Sequence, residues 1–292
     1  MFHVKHNQQI PTKNPSKPPL RVKDFMVSGE VFELIYNKQF NALTTNPKPG
    51  QNKMPAYYQS DSYLSHSNKG KGVFSKLYSQ VRQYNLNLKR RWVEQKRKPA
   101  GRLLDLGTGV GLFLDTMKHS GWEVQGLEVS GQARKLAQSK NHMVHSEWDQ
   151  LGQNPFDVVS MWHVLEHLED LEWYVRQIGA LVNKRGYLFV AVPNHRSYDA
   201  RYYKNFWAGY DVPRHLWHFS QESMNVLFQD EFDLVQKKPM WFDAFYVSLL
   251  SHYYKTGSKR SLIPFFVALW SNLKALVDGE CSSITYIYQK RV

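Results

Sequence analysis

The stretch from Leu103 to Asp115, LLDLGTGVGLFLD, constrains this chain more than any other. Arg102 to Leu106 is too short and too apolar for a surface helix, and Lys98-Pro99-Ala100-Gly101 before it is a turn signal. The pattern predicts a buried strand that ends on the carboxylate of Asp105. A turn through Gly107, Gly109 and Gly111 follows, then a helix. Glycine at every second position suits a backbone that takes positive φ, or one that a ligand must approach without meeting a Cβ. A parallel strand followed by such a turn and a helix N-terminus is the usual crevice for nucleotide-like ligands.

The spacing decides which ligand. A dinucleotide fingerprint requires G-x-G-x-x-G, whose third glycine lets helix and strand pack closely. Here that position is Leu112, and the third glycine arrives one residue early, at Gly111. Acidic-x-G-x-G-x-G resembles motif I of the class I S-adenosylmethionine (SAM) methyltransferases. That resemblance implies Asp105, Gly107, Thr108, Gly109 and Gly111 as cofactor-binding residues.

From Arg102 onward strands and helices alternate. Strands are expected at Trp122–Leu127, His142–His145, Phe156–Trp162, Gly186–Val192, within Glu231–Trp241, and at Ser282–Gln289, with helices between most of them. Repeated β-α units of this length imply a parallel sheet with right-handed crossovers. With Arg102–Leu106 the expected fold is α/β. It is a Rossmann-like, mostly parallel sheet of seven strands with helices on both faces.

Residues 1–22 form a basic, proline-containing arm, expected to be irregular; His3 and His6 there have no second ligand pair. Residues 23–66 read as a small strand-rich element. Residues 67–292 form the main domain, with an aromatic insertion at 194–219 after the fifth strand. Long insertions at the carboxyl ends of parallel strands usually carry function, so this one is expected to be a lid. Gly72 to Glu94 has helical periodicity, with a basic outer face against an apolar stripe.

Three further segments carry the resemblance. Glu128 ends the second strand, where a carboxylate can accept hydrogen bonds from both ribose hydroxyls. Phe156-Asp157-x-x-x-x-Trp162-His163-Val164-Leu165-Glu166-His167 looks like the fourth-strand motif of the family, which implies Trp162 and His163 beside the cofactor. Trp207-Ala208-x-x-Asp211-Val212-Pro213-Arg214-His215-Leu216-Trp217-His218-Phe219-Ser220 resembles the segment after the fifth strand in methyltransferases related to ubiquinone-type methylases. Lys23-Asp24-Phe25-Met26-Val27-Ser28-Gly29-Glu30, Thr45-x-Pro47 and Tyr57-Tyr58-Gln59-Ser60-x-x-Tyr63-x-x-His66 look like a bacterial methyltransferase front end that commonly carries a cysteine zinc ribbon. The matching places here hold non-ligands such as Asn37 and Phe40, so the metal is not expected.

The resemblance spans roughly residues 23–292 and implies methyl transfer from SAM to a small-molecule acceptor. A sulfonium methyl is already activated, so the protein chiefly aligns the acceptor and excludes water. A hydroxyl or acidic carbon also needs a base near neutral pKa. His215 is the first candidate, with His218 and His163 behind it; Tyr58, Tyr63, Trp207 and Arg214 are candidate substrate contacts. The acceptor is expected to be a quinol or other lipid-like ring, or a nucleotide-linked sugar.

A net charge of +13 raises nucleic acid as a partner, but no N-P-P-[YF] or D-P-P-[YF] motif follows the fourth strand. Nucleic-acid methylation and a non-catalytic SAM-binding module are therefore the alternatives. The aromatic stretches Trp241–Tyr254 and Leu262–Trp270 suit an acceptor pocket, a homodimer contact or a membrane-surface patch. A single cysteine, Cys281, and no apolar run near the ~18–20 residues of a membrane span point to the cytoplasm.

Overall fold

A computed structural model describes residues 19–50, 52–58, 73–152 and 154–292, the side chains of residues 73–78 excepted. Most of the arm, with His3 and His6, lies outside the described residues, as do Gln59, Ser60, Tyr63 and His66. The strands are β1 (Leu20–Lys23), β2 (Val31–Asn37), β3 (Ala42–Asn46), β4 (Arg102–Leu106), β5 (Glu123–Leu127), β6 (Met143–His145), β7 (Phe156–Trp162), β8 (Val182–Pro193), β9 (Trp217–His218), β10 (Phe232–Pro239) and β11 (Ser283–Lys290). The helices are α1 (Val73–Lys96), α2 (Leu112–Lys118), α3 (Gly131–Gln138), α4 (Leu171–Leu181), α5 (Tyr198–Tyr203), α6 (Gln221–Leu227), α7 (Asp243–Thr256) and α8 (Ile263–Asp278).

Seven strands form the main sheet in the order β6-β5-β4-β7-β8-β11-β10. Only β11 runs against its neighbours, pairing antiparallel with both β8 and β10. Side chains alternate between the two faces because a strand has a period of two. Leu103, Val158, Phe189 and Ile287 pack on one face with Trp92 and Val93 of α1 and Phe113 and Met117 of α2. Leu104, Val159, Met161 and Val190 pack on the other with Ile178 of α4 and Met224 of α6. Burial on both faces explains why these strands are apolar runs. Helix α4 starts at Leu171 because the Asp170 carboxylate accepts a hydrogen bond from Trp173 N and caps it there.

A second sheet has the order β1-β2-β3-β9. Its first three strands come from the N-terminal element, and β9 comes from the 194–219 insertion, paired at Leu43↔His218 and Thr44↔Trp217. The two segments that look separate in the sequence therefore share one sheet. In the β2–β3 turn the Asn37 side chain accepts a hydrogen bond from Phe40 N, so polar capping closes the hairpin. Helices α7 and α8 lie between β10 and β11 in the chain, and Val267 of α8 packs with Trp207 and Tyr210 of the insertion and with Val22 and Phe32.

Candidate active site

The order of strands reverses between β4 and β7, and at such a switch point the loops part and leave a crevice at the carboxyl ends. The glycine turn sits there. Gly107, Gly109 and Gly111 all have positive φ, at 68°, 56° and 77°. A Cβ on Gly109 would meet nothing within 4 Å, so its open side is room for a ligand. A Cβ on Gly111 would lie 3.1 Å from Ala137 Cβ and 3.2 Å from His142 Cδ2, so this glycine lets the turn pack on α3. The early third glycine thus has a packing reason of its own.

Glu128 follows β5, and its carboxylate accepts from Gly109 N at 2.8 Å and Ser130 N at 2.7 Å. Each oxygen keeps a lone pair for a ligand hydroxyl. Asp105 is buried opposite Ser160 of β7, whose hydroxyl donates to Oδ1 at 2.6 Å. Burial pushes the Asp105 carboxyl up to about 6, while Ser160 and then Lys89 pull it down. Lys89 comes from α1, with Nζ 4.3 Å from the centroid of the Trp162 ring; burial lowers its pKa against the opposing pull of Asp105 and Asp243. One lysine of the expected basic outer face therefore reaches the site. Thr108 is buried in the same turn. These residues suit a cationic, ribose-bearing cofactor: open space at Gly109, a strand-end carboxylate at Glu128, and a buried anion at Asp105.

His163 follows β7 with φ of 60°. Its Nε2 lies 3.1 Å from Asp243 Oδ2 and its Nδ1 3.3 Å from Glu166 Oε1. Burial alone would lower its pKa, but the Asp243 and Glu166 carboxylates outweigh it and raise the ring to about 9. A ring that stays protonated at neutral pH cannot accept a proton, so the geometry does not support His163 as a base.

Leu165–His167 form a single 3-10 turn, stitched to the insertion through its backbone. Leu216 N donates to Glu166 O at 2.8 Å, Trp217 Nε1 donates to Leu168 O at 2.8 Å, and His167 Nδ1 lies 2.9 Å from Arg214 O. This brings Glu166, His167, His215 and Tyr58 together. The Tyr58 hydroxyl is 3.2 Å from His167 Nδ1, and the His167 and His215 ring centroids are 4.7 Å apart. The His215 Nδ1 is 3.0 Å from Gly209 O, so with a proton there Nε2 carries the lone pair.

The other expected site residues are structural. His218 is buried, with Nε2 3.0 Å from Thr45 Oγ1, and burial holds its pKa well below the ordinary value. Trp207 is buried and donates from Nε1 to Asp199 Oδ2 at 2.7 Å. Arg214 is 1% exposed and donates to Asp211, to Asp24 Oδ1 at 3.0 Å and to the carbonyl of Tyr57 at 3.0 Å. Asp24 also accepts from Met26 N, Val27 N and Ser28 N, which shapes the β1–β2 turn. The Asp24 and Arg214 motifs are therefore two ends of one clamp, in which Nε, Nη1 and Nη2 of Arg214 all donate to protein acceptors. Asp243 and Lys89 carry no sequence signal for the site; fold and register bring them there.

Residues 77–236 match the family described as "Methyltransferase domain". Among curated proteins, the chain is 31% identical over 121 residues to the ubiquinone biosynthesis O-methyltransferase of Thiobacillus denitrificans, covering 38% of this chain and 52% of that one. It is 30% identical over 121 residues to its counterpart in Albidiferax ferrireducens, covering 37% and 47%. The match thus spans about half the length of these relatives. Among solved structures, the magnesium protoporphyrin IX methyltransferase of Synechocystis PCC 6803 with bound SAH superposes with a TM-score of 0.55 at 14% identity, covering 83% of this chain and 100% of that one. A cyclopropane synthase of Mycobacterium tuberculosis gives 0.51 at 13% identity, with 84% and 100% covered.

Proposed function

This chain belongs to the methyltransferase-domain family, with SAM as its cofactor, and from that premise we propose that it methylates a hydroxyl of a small acceptor, first of all a quinol or other lipid-like ring. The observation that carries the reading is the meeting of His215, His167, Glu166 and Tyr58 beside Trp162–His163. A hydroxyl has a proton to lose, and this cluster presents a basic nitrogen next to the cofactor crevice. Similarity to O-methyltransferases of ubiquinone biosynthesis supports a ring hydroxyl over a nucleotide-linked sugar.

The cofactor, when bound, supplies a methyl on a sulfonium, whose C–S bond breaks as the acceptor oxygen takes the carbon. Everything else falls to the protein. Glu128 holds the ribose hydroxyls, Asp105 faces the cationic end, and the open side of Gly109 admits the nucleoside. His215 Nε2 takes the acceptor's proton, its ring fixed by Gly209 O. The 194–219 insertion closes over the acceptor and excludes water.

Incubation with methyl-labelled SAM and a panel of acceptors tests the reading. Label is expected as a methyl ether on a dihydroxylated ring. Label only in a nucleotide-linked sugar, only in nucleic acid, or in no acceptor would refute it. His215→Ala is expected to keep cofactor affinity while kcat falls about 100-fold or more, within the usual range for losing a general base.

The acceptor's lipid character fits a second feature. On α8 the side chains of Phe265, Phe266, Trp270, Leu276 and Val277 are exposed, while Val267, Ala268 and Ser271 pack inward. Lys255, Lys259 and Arg260 lie in or beside the α7–α8 loop. Among the described residues no helix is long and apolar enough to cross a membrane, so contact would be at its surface. We propose that α8 rests on anionic lipid. Vesicles containing phosphatidylglycerol should bind the protein and lose it when Phe265 and Phe266 become serine. Unchanged partitioning, or a homodimer that buries α8, would overturn this.

A further inference from the structure

Glu166 is fully buried, yet neither carboxylate oxygen has a hydrogen bond among the described residues; the nearest cation is His163, with Nδ1 3.3 Å from Oε1. Leaving a buried carboxylate so poorly satisfied is costly unless something further binds it. Two imidazoles flank it. His215 Nε2 lies 4.0 Å from Glu166 Oε1, and one donor atom each from Glu166, His167 and His215 falls within 4.8 Å of the others.

The far sides of both rings face backbone carbonyls. His167 Nδ1 is 2.9 Å from Arg214 O, and His215 Nδ1 is 3.0 Å from Gly209 O. Each contact favours a proton on Nδ1 and a free lone pair on Nε2. A carbonyl behind the non-ligating nitrogen is how metal-binding histidines are oriented. Asp211 does not join this set. Its Oδ2 lies 4.0 Å from His215 Nε2, but its carboxylate accepts from Arg214 Nε.

We propose that Glu166, His167 and His215 bind a divalent transition-metal ion of the zinc class, leaving a coordination position open toward the acceptor. Two imidazoles and one carboxylate suit zinc and its neighbours, whereas magnesium and calcium favour all-oxygen sets. Bonds of about 2.1 Å place ligand atoms about 3.4 Å apart in a tetrahedral site. Closing the 4.0 Å gap between His215 and Glu166 to that distance takes a shift of under ~1 Å. Three protein ligands leave a fourth position for an acceptor oxygen, whose proton becomes more acidic on coordination. With the ion bound, His215 would be a ligand and no longer a base, so the acceptor's proton would pass to solvent water as its oxygen takes the methyl carbon. That role rests on the methyl-transfer reading above; the binding itself does not.

The test is a titration of the full-length, metal-stripped protein with Co²⁺, carrying His3→Ala and His6→Ala to remove N-terminal imidazoles. One equivalent should bind and give visible d–d absorption. His215→Ala and His167→Ala should weaken binding at least 100-fold while keeping the wild-type far-UV circular dichroism. His119→Ala, on the exposed end of α2, should leave it unchanged. Less than one equivalent bound, or an unaltered spectrum in both ligand variants, overturns the site. If one equivalent binds but stripped and loaded protein methylate a ring hydroxyl equally fast, the ion's role toward the acceptor is overturned and methyl transfer stands. If neither form transfers a methyl group while Co²⁺ binds as expected, the methyl-transfer reading fails and the metal site stands.

Discussion

Gly109 and Gly111 have the same backbone problem and different surroundings, so alanine at each separates cofactor space from packing. Both have positive φ, 56° and 77°, where an L-residue costs about 1–2 kcal/mol. Gly109→Ala adds a methyl to open space, so its destabilisation should stop at that figure. Gly111→Ala presses the methyl to 3.1 Å from Ala137 Cβ, and moving α3 away adds about 1–3 kcal/mol of overpacking. Urea unfolding followed by circular dichroism should therefore rank Gly111→Ala below Gly109→Ala by at least ~1 kcal/mol, with equal slopes. Calorimetry with SAM should give the reverse ranking per folded molecule. If the nucleoside lies over Gly109 as proposed, Gly109→Ala puts a methyl in its space and should weaken binding at least tenfold, about 1.4 kcal/mol. Unchanged affinity in Gly109→Ala would refute the placement of the cofactor over this turn. Equal destabilisation by the two variants would refute the packing reason for Gly111.

Arg214→Met should cost about 3–5 kcal/mol in urea unfolding, because it strands the buried Asp24 carboxylate, and Asp24→Asn in the same chain should recover part of the loss. If it instead left stability intact and abolished turnover, Arg214 would be a substrate contact after all. Asp105, at about 6, ionises as pH rises through that value. Affinity for the cationic cofactor should thus rise up to tenfold per pH unit from 5 toward 6 and level off above 7, and Asp105→Asn should flatten the profile. Folding has the opposite sign. The native carboxyl sits above its ordinary 3.8, so Asp105 makes the fold less stable as pH rises from about 4 to 6. His218→Asn should lower stability by about 1–3 kcal/mol through the lost bond to Thr45, while kcat of the folded fraction stays unchanged.

The cofactor half of the site was legible because its signals are local. The glycine turn and Glu128 lie within one β-α-β unit, where a short apolar run gives way to a glycine turn and then to helix. The acceptor half was only partly legible. His215 stands in a recognisable motif, but its neighbours Arg214 and His218 read equally as chemistry. What separates them is partners far along the chain: Asp24 is 190 residues from Arg214, and Thr45 is 173 from His218. A histidine-rich motif cannot tell which ring joins Glu166 and His167 and which closes a second sheet; β9 pairing with β3 decides that. Lys89 was hidden for a different reason. Next to Leu88 on an apolar stripe, it reads as solvated, yet a lysine stem can lie along buried surface and carry its ammonium to an inner charge.

His163 joins the two halves. It leaves β7 in the left-handed region, a conformation costing about 1–2 kcal/mol for a residue with a Cβ. That backbone lets one ring reach Asp243 of α7 and Glu166 of the following turn. On the cofactor side, Lys89 balances Asp105 and Asp243; on the acceptor side, protonated His163 balances Asp243 and Glu166. Asp243 is therefore shared by two cations, and removing it affects both sites at once. Asp243→Asn should let His163 lose its proton near neutral pH and loosen Glu166, while leaving Lys89 to Asp105 alone. Both cofactor affinity and the Co²⁺ spectrum should then change in one variant, although Asp243 is in contact with neither ligand set. An Asp243→Asn protein that altered one and spared the other would show that the halves are independent, and that His163 is a fixed packing residue instead of the link between them.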